Sequence, residues 1–183
     1  MRGIRIIPDS GFKTTEWSGG TTTELFIWPE GGSYAERRFN IRISTAVVEL
    51  EESDFTPLPG VKRFLTPLCP GFVLTVNGDE KELPYGEALE FSGDDSVHCK
   101  GSGRDLNLML KGAEGDMRIA EGAFTIEKGR TAFLFSKDQQ TIAYCGLACP
   151  VCSSALLPAL SFAKIEPGSF RSERPVVLFI LDI

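Results

Sequence analysis

The sequence has 183 residues, of which 42% are hydrophobic and 24% charged, the balance of an ordinary globular protein, and this length excludes a large multidomain assembly. It contains no apolar run near the ~20 residues of a membrane helix and no signal-peptide pattern, so we expect a cytoplasmic protein with no membrane partner. Nineteen Lys and Arg residues against 25 Asp and Glu residues give a net charge of −6 without a basic tract. This argues against a nucleic-acid partner, because duplex binding requires neutralisation of phosphates.

Short segments of alternating polarity, separated by frequent glycine and proline, predict a chain that is nearly all β-strand. Residues 40–47 alternate clearly, with Ile41 and Ile43 on one face of the predicted strand and Arg42 and Ser44 on the other. One face of this strand is therefore apolar and the other polar.

A β-hairpin is predicted over residues 72–83. Asn77-Gly78 lies between the apolar residues 72–76 and a polar return to Leu83, and this dipeptide tolerates the positive φ angles of a tight hairpin turn. Many short strands at regular spacing indicate a sandwich or a barrel. Further strands are predicted at residues 89–91, 96–100, 104–111, 117–120, 123–126, 131–136, 141–145, 160–165 and 176–183.

The predicted strand at residues 104–111 has two different faces. Its even-numbered leucines form a core face, whereas Asp105, Asn107 and Met109 occupy the other. A polar face inside a barrel must be hydrogen-bonded and is often found lining a wet pocket, and the alternative is an ordinary solvent-facing side. The sequence leaves these two interpretations open.

A glycine-rich turn at residues 112–115 predicts a boundary between an N-terminal part, residues 1–112, and a C-terminal part, residues 113–183. The second part is small to bury a full core alone, so we expect the two parts to pack as one body with a shared core.

His98 is the only histidine in the chain. This excludes a metal site built from several imidazoles within one subunit and makes a nucleophilic triad a weak hypothesis. If residues 96–100 form a strand, the neighbouring Cys99 lies on the opposite face. A histidine in such a position is more often structural than catalytic.

Three of the five cysteines have the spacing Cys-x3-Cys-x2-Cys, namely Cys145, Cys149 and Cys152. In radical S-adenosylmethionine enzymes this spacing holds three irons of a four-iron cluster. The chain lacks the helices of the α/β barrel that carries that motif, so a turn rich in small thiols is favoured. We therefore predict mostly reduced thiols, no metal and no cofactor.

Two segments contain residues suited to ligand binding. Trp17-Ser-Gly-Gly-Thr21 precedes a predicted strand that contains Glu24, and its glycines and hydroxyls suit either a structured loop or a binding loop. Arg63 lies among apolar residues after a Pro-Gly turn. It is either a surface cation or the fixed partner of a carboxylate, and the planar fork of arginine favours the second.

Taken in order, these segments resemble the HutD/Ves family of small bacterial cupin-like proteins. The resemblance implies an all-β bicupin, that is, two small β-barrel or jelly-roll modules in one chain. It also implies an association with histidine-utilisation operons and a regulatory role through binding of a pathway intermediate such as formylglutamate. The segments that carry the resemblance are Trp17-Ser-Gly-Gly-Thr21 with Glu24-Leu25, residues 41–46, Phe55 with Leu58-Pro-Gly60 and Arg63, residues 91–94, and residues 105–109.

We therefore predict a metal-free protein that binds a small anionic metabolite resembling formylglutamate and acts as a regulator or sensor. Two arginines would hold a carboxylate, while asparagine and serine would bond an amide or formyl group. The predicted ligand-binding residues are Arg42, Ser44, Arg63 and Asn107, together with Trp17, Thr21, Glu24 and His98.

Two other classes of function stay open. One is a metal-free cupin enzyme, an isomerase or hydrolase, that uses His98 or Glu24 for proton transfer. The other is a structural or interaction protein whose barrel holds no ligand. The sequence also leaves open whether the chain forms a homodimer.

Overall fold

The computed structural model describes residues 3–147 and 152–183, and this part of the chain is nearly all β-strand, as predicted. A single turn of 3-10 helix lies at Asp9–Gly11. The strands are β1 (Ile4–Ile7), β2 (Lys13–Trp17), β3 (Gly20–Trp28), β4 (Ile41–Val48), β5 (Glu52–Asp54), β6 (Lys62–Pro67), β7 (Phe72–Val76), β8 (Asp79–Leu83), β9 (Leu89–Ser92), β10 (Val97–Lys100), β11 (Gly103–Leu110), β12 (Gly115–Ile126), β13 (Thr131–Ser136), β14 (Gln140–Gly146), β15 (Cys152–Leu157), β16 (Ser161–Ile165) and β17 (Gly168–Leu181).

The chain forms two compact units. One unit is Phe12–Ala113, and the other combines the residues up to Gly11 with Glu114–Ile183. The N-terminal segment belongs to the second unit because β1 pairs with β16 along its whole length. A core shared by residues 1–112 and 113–183 stays a prediction.

The unit Phe12–Ala113 contains two antiparallel sheets. Six strands follow the order β2-β3-β4-β11-β6-β9, and four follow the order β5-β10-β7-β8. Apolar residues of both sheets form one buried cluster, to which the larger sheet contributes Leu65 and Phe91 and the smaller one Phe72 and Leu74. The inner faces of the two sheets therefore face each other across this core.

The predicted hairpin at residues 72–83 is confirmed. β7 and β8 pair in register from Phe72 to Leu83, and the two turn residues Asn77 and Gly78 have φ angles of 51° and 94°. These are the left-handed conformations that a two-residue hairpin turn requires and that Asn-Gly adopts readily.

The second unit contains one seven-stranded antiparallel sheet. Its order is β1-β16-β13-β17-β14-β15, and β12 also pairs with β17. The strands predicted at residues 117–120 and 123–126 are one strand, β12, because a bulge between Ala120 and Gly122 shifts the register without ending the pairing. The strand predicted at residues 176–183 is the second half of the longer β17.

A disulfide in the second unit corrects part of the prediction of reduced thiols. Cys145 and Cys152 are directly opposite each other in the β14–β15 pair, with their Cα atoms 4.4 Å apart, and their sulfur atoms are bonded. Cys149 lies outside the described residues, while Cys69 and Cys99 are free thiols. Two of the three cysteines in the cluster-like motif are therefore bonded to each other and are not thiolate ligands in this structure.

Candidate functional site

A cavity of about 280 Å³ lies inside the unit Phe12–Ala113. Its walls are the inner faces of β4, β6 and β11, and segments from β2, β3, β5 and the loop before β4 complete it. The same inner faces are apolar at the core and polar at the cavity. On β6, for example, Leu65 belongs to the core, while Arg63, two residues before it on the same face, lines the cavity.

Two neighbouring strands place most of the polar side chains. β4 directs Arg42 and Ser44 into the cavity and leaves Ile41 and Ile43 fully buried on its other face, as the alternation predicted. On β11, Asp105, Asn107 and Met109 line the cavity while the intervening leucines are buried on the opposite face. The polar face of β11 therefore lines a cavity, which decides between the two interpretations left open by the sequence.

The charge of Arg42 is compensated inside the protein. Its Nε donates to Oε2 of Glu24 at 2.9 Å, and its Nη1 donates to the hydroxyl of Ser44 at 3.1 Å. The guanidinium also lies over the ring of Tyr34, 4.2 Å from the ring centroid. Arg42 is thus held by a carboxylate, a hydroxyl and an aromatic face.

Arg63 is buried without such compensation. Only 7% of the residue is exposed, its Nε has no hydrogen-bond partner, and its Nη1 reaches only the backbone carbonyl of Thr56 at 3.4 Å. The guanidinium is flanked by the rings of Phe55 and Phe91, each with its centroid 5.0 Å away. Burial lowers the pKa of Arg63 to about 10, against a smaller opposing effect of Tyr34 and Asp105.

Asp105 and Asn107 form a second buried polar group on β11. Oδ1 of Asp105 accepts hydrogen bonds from the backbone N–H of Ala46 at 3.2 Å and from Nδ2 of Asn107 at 2.8 Å. Burial raises the pKa of Asp105 to about 7, although these donors and the charge of Arg63 oppose the rise. The amide oxygen of Asn107 is buried and accepts no hydrogen bond.

The glycines after Trp17 bring this tryptophan and β3 into place beside the cavity. A Cβ atom on Gly19 would overlap with the Trp17 ring, and one on Gly20 would overlap with the carbonyl oxygen of Val47. Trp17 itself lines the cavity and remains 41% exposed, which puts its ring at the boundary with solvent. This segment is both a structured turn and part of the cavity wall.

Other segments of the resemblance have a structural role. The carboxylate of Asp94 accepts a hydrogen bond from the N–H of Gly60 at 3.1 Å. The carbonyl of Gly93 accepts a hydrogen bond from the N–H of Leu58, and the N–H of Gly93 donates to the carbonyl of Val61. A Cβ atom at residue 93 would overlap with the carbonyl oxygen of Leu58. These contacts fix the turn that precedes β6, and thus the strand that carries Arg63.

Five of the eight predicted site residues line the cavity: Trp17, Arg42, Ser44, Arg63 and Asn107. Glu24 does not line it but binds Arg42. Thr21 lies on β3 next to the cavity-lining Thr22, so its side chain is on the opposite face of that strand.

His98 is away from the cavity. It lies on β10 between the core residues Val97 and Cys99, so its side chain is on the outer face. There its Nδ1 is 2.8 Å from Oδ1 of Asp54, and its Nε2 is 3.8 Å from Oε2 of Glu52. These contacts tie β10 to the short edge strand β5.

Several cavity-lining residues were not among the predicted ligand-binding residues, and Asp105 and Tyr34 are two of them. Asp105 was placed on the polar face of its strand, and that alternation was the available signal for a cavity position. Tyr34 lies in the loop between β3 and β4, where neither hydrophobic periodicity nor a turn motif indicates which side chains point inward.

A second, larger groove of about 590 Å³ is lined by residues 29–32, 37–40 and 111–112. Among the described residues that line it, no cation is buried, because Arg37 and Arg38 are exposed and Lys111 is half-buried, and Arg38 also pairs with Glu36 at 2.7 Å. The smaller cavity, which holds the buried unpaired cation, is therefore the candidate functional site.

The cavity residues do not suit a divalent metal ion. Metal-binding sites in proteins use imidazole, thiolate or carboxylate ligands, whereas this cavity presents two guanidinium groups and one buried carboxyl already bonded to two N–H groups. Its other carboxylate, Asp54, is exposed and contacts His98. Within residues 3–147 and 152–183, no three His, Cys, Asp or Glu side chains are grouped so that they could hold a metal ion. The same ranges contain no helix long and apolar enough to cross a membrane.

Two facing antiparallel sheets that enclose a polar cavity are a feature of the cupin fold, and solved structures share this fold. A Bacillus subtilis oxalate decarboxylase aligns with 97% of this chain and 77% of its own, with a TM-score of 0.62 and 8% identity. The chain belongs to the HutD family, whose sequence model, described as HutD, matches residues 9–153. None of the curated proteins matches the sequence.

Two solved bacterial structures resemble the whole chain. A conserved protein of unknown function, PA5104 from Pseudomonas aeruginosa PAO1, has a TM-score of 0.76 and 24% identity, with 97% of each chain covered. HutD from Pseudomonas fluorescens SBW25 has a TM-score of 0.75 and 22% identity, again with 97% of each chain covered. The resemblance drawn from the sequence is confirmed, and the fold is shared along nearly the full length.

Proposed function

We propose that this cupin-type protein binds a small anionic metabolite in the cavity of the unit Phe12–Ala113 and acts as a regulator or sensor linked to histidine utilisation. The observation that carries the proposal is Arg63, a buried cation without an ion-pair partner within 4.0 Å among the described residues. An uncompensated buried charge destabilises a folded protein, so a site of this kind is suited to an anion supplied from outside.

The proposed anchor for the ligand carboxylate is Arg63 alone, rather than Arg42 and Arg63 together. The fork of Arg42 is already engaged by Glu24 and Ser44, whereas Arg63 retains unused donors. A carboxylate on Arg63 would form charge-assisted hydrogen bonds in a site largely shielded from water, where they are strongest.

Asn107 supports a second requirement on the ligand. Its amide orientation is set because Nδ2 donates to Asp105, which leaves Oδ1 buried and free to accept. A ligand that places an N–H group there removes the penalty of an unsatisfied buried acceptor. A carboxylate combined with an amide N–H describes N-formylglutamate, which the family resemblance also suggests.

The test is ligand-induced stabilisation measured by thermal unfolding with N-formyl-L-glutamate, L-glutamate or urocanate. A ligand at a hundredfold excess over its dissociation constant adds about 2.7 kcal/mol to the free energy of unfolding. For a chain of this length that corresponds to a rise in Tm of roughly 5–10 °C. Arg63→Met should reduce the rise to about half or less, as expected for an affinity weakened roughly tenfold or more, and an absence of any rise in the wild type with all three compounds would refute the proposal.

The enzyme alternative has less support from its predicted residues. His98 is on the outer face of β10, and the Glu24 carboxylate is bound to Arg42. Asp105 is a carboxyl inside the cavity with a pKa of about 7, so it is the residue to substitute if any turnover of these compounds is detected.

A further inference from the structure

Asp105 and Arg63 are two buried charges in one cavity that do not touch. Both residues are more than nine-tenths buried, and no ion pair within 4.0 Å joins them, yet each acts on the charge of the other. Without a ligand, Asp105 offsets part of the positive charge of Arg63 from a distance whenever its carboxyl is ionised. The pair of Arg42 and Glu24 is neutral by itself.

An anion bound to Arg63 disturbs this balance. The ligand carboxylate neutralises the cation that favours the ionised form of Asp105, and it adds a second negative charge in a poorly hydrated space. The cavity would then contain two carboxylates for one available guanidinium. A proton on Asp105 restores neutrality.

On this basis, and resting on the proposed function, we infer that the cavity binds its anionic ligand together with one proton, which solvent supplies to Asp105. The two oxygens of Asp105 are not equivalent in this step. Oδ1 accepts from Ala46 and Asn107, so the proton goes to Oδ2, and the hydrogen bonds to Oδ1 are kept.

The groups around Asp105 are consistent with uptake of one proton at this carboxyl. The pKa of Asp105, about 7, means that the ligand acts on a group that is already near its midpoint at neutral pH. Burial, with a further effect of Asp105, raises the pKa of the nearby Cys99 to about 12, so this thiol remains protonated. The charged or titratable groups that face Asp105 or line the same cavity are Arg63 on β6, Arg104 on β11, Cys99 on β10, Arg42 on β4, Asp54 on β5 and Tyr34 in the loop before β4, with Glu24 on β3 behind Arg42.

The experiment is calorimetric titration of the wild-type chain with N-formyl-L-glutamate in two buffers of different ionisation enthalpy. This probe is suitable because carboxylic acids titrate near pH ~4 and the formyl group removes the amine, so the probe itself binds no proton near neutrality. We expect uptake of close to one proton per ligand at about pH 8 and an affinity that falls roughly tenfold per pH unit above about pH 7.

Asp105→Asn mimics the protonated carboxyl at every pH. It should bind the probe with an affinity that does not change between about pH 6 and 8.5 and with no proton uptake. Asp116→Asn removes an exposed carboxylate from β12 and is the matched control, which should behave as the wild type does.

The outcomes separate this inference from the proposed function. Binding without proton uptake in the wild type overturns the inference alone, and this result needs no variant. Proton uptake that persists in Asp105→Asn overturns the assignment to Asp105. A wild type that binds none of N-formylglutamate, glutamate and urocanate overturns the proposed function and this inference with it.

Discussion

Replacing Arg63 with Met should stabilise the protein in the absence of ligand, because it removes a buried positive charge that has no ion-pair partner among the residues that the structure describes. The pKa of Arg63 is lowered from 12.5 to about 10, which corresponds to about 3 kcal/mol against the charged form at about 1.4 kcal/mol per tenfold change. Contacts of the cation with the rings of Phe55 and Phe91 offset about 0.5–2 kcal/mol of this. Methionine keeps an apolar stem that packs well against aromatic rings. We expect the free energy of unfolding to rise by about 1–2 kcal/mol.

Arg42→Met is the matched comparison, because Arg42 lines the same cavity and is also buried. Its loss leaves the carboxylate of Glu24, whose side chain is only 20% exposed, without its partner. We expect the free energy of unfolding to fall by about 1–3 kcal/mol. The two substitutions thus remove the same group from one cavity and change stability in opposite directions.

Urea denaturation of the wild type and both variants at neutral pH, followed by intrinsic fluorescence, measures these changes. Binding is then measured on the folded variants, and Arg63→Met should weaken affinity for the anionic ligand by roughly tenfold or more, since a charge-assisted hydrogen bond contributes ~1.5–3 kcal/mol. If Arg63→Met unfolds the chain, or destabilises it as much as Arg42→Met while leaving affinity unchanged, Arg63 is a structural partner and the reasoning is refuted.

Three further predictions concern the core, the turns and the buried carboxyl. Leu108→Ala should lower the free energy of unfolding by ~2–5 kcal/mol in urea denaturation, because this fully buried side chain leaves a cavity. Gly20→Ala should destabilise more than Gly78→Ala by the same measurement: both glycines have positive φ, but only at Gly20 would the new Cβ overlap with a backbone carbonyl. Asp105→Asn should raise the free energy of unfolding by up to about 4 kcal/mol near pH 8 and leave it unchanged near pH 3.5, because a carboxyl whose pKa rises from 3.8 to about 7 on folding loses stability as pH increases through that interval. Equal effects of Asp105→Asn at both pH values would contradict this origin.

Features that depend on neighbouring residues were predictable from the sequence. The hairpin at Asn77-Gly78 follows from turn chemistry, and the two faces of β4 and β11 follow from strict alternation. The position of His98 opposite Cys99 follows in the same way. Alternation also identified Asp105 as belonging to a polar face, without showing that this face is enclosed.

Features that depend on contacts between distant residues were not predictable in this way. β1 pairs with β16, more than 150 residues away along the chain, and no local pattern indicates that partner. The face of β3 on which the Glu24 side chain lies could not be read from simple alternation, because a bulge between Glu24 and Phe26 shifts the register of this strand. The disulfide depends on the register of β14 and β15, which places Cys145 opposite Cys152.

The two cavity arginines show why residue type alone does not define a binding site. In the sequence, Arg42 alternates with isoleucines and Arg63 lies in a largely apolar segment, and both suit a carboxylate. In the structure, Glu24 neutralises Arg42, while the carboxyl that acts on the charge of Arg63 is Asp105, whose pKa burial raises to about 7. When Asp105 is protonated, Arg63 has no internal counter-charge within the described part of the chain. The cavity can then accept one negative charge from the proposed anionic ligand. In the proposed function, the negative charge that the cavity accepts thus depends on which internal carboxylate stays ionised, and burial rather than the identity of the arginines decides this.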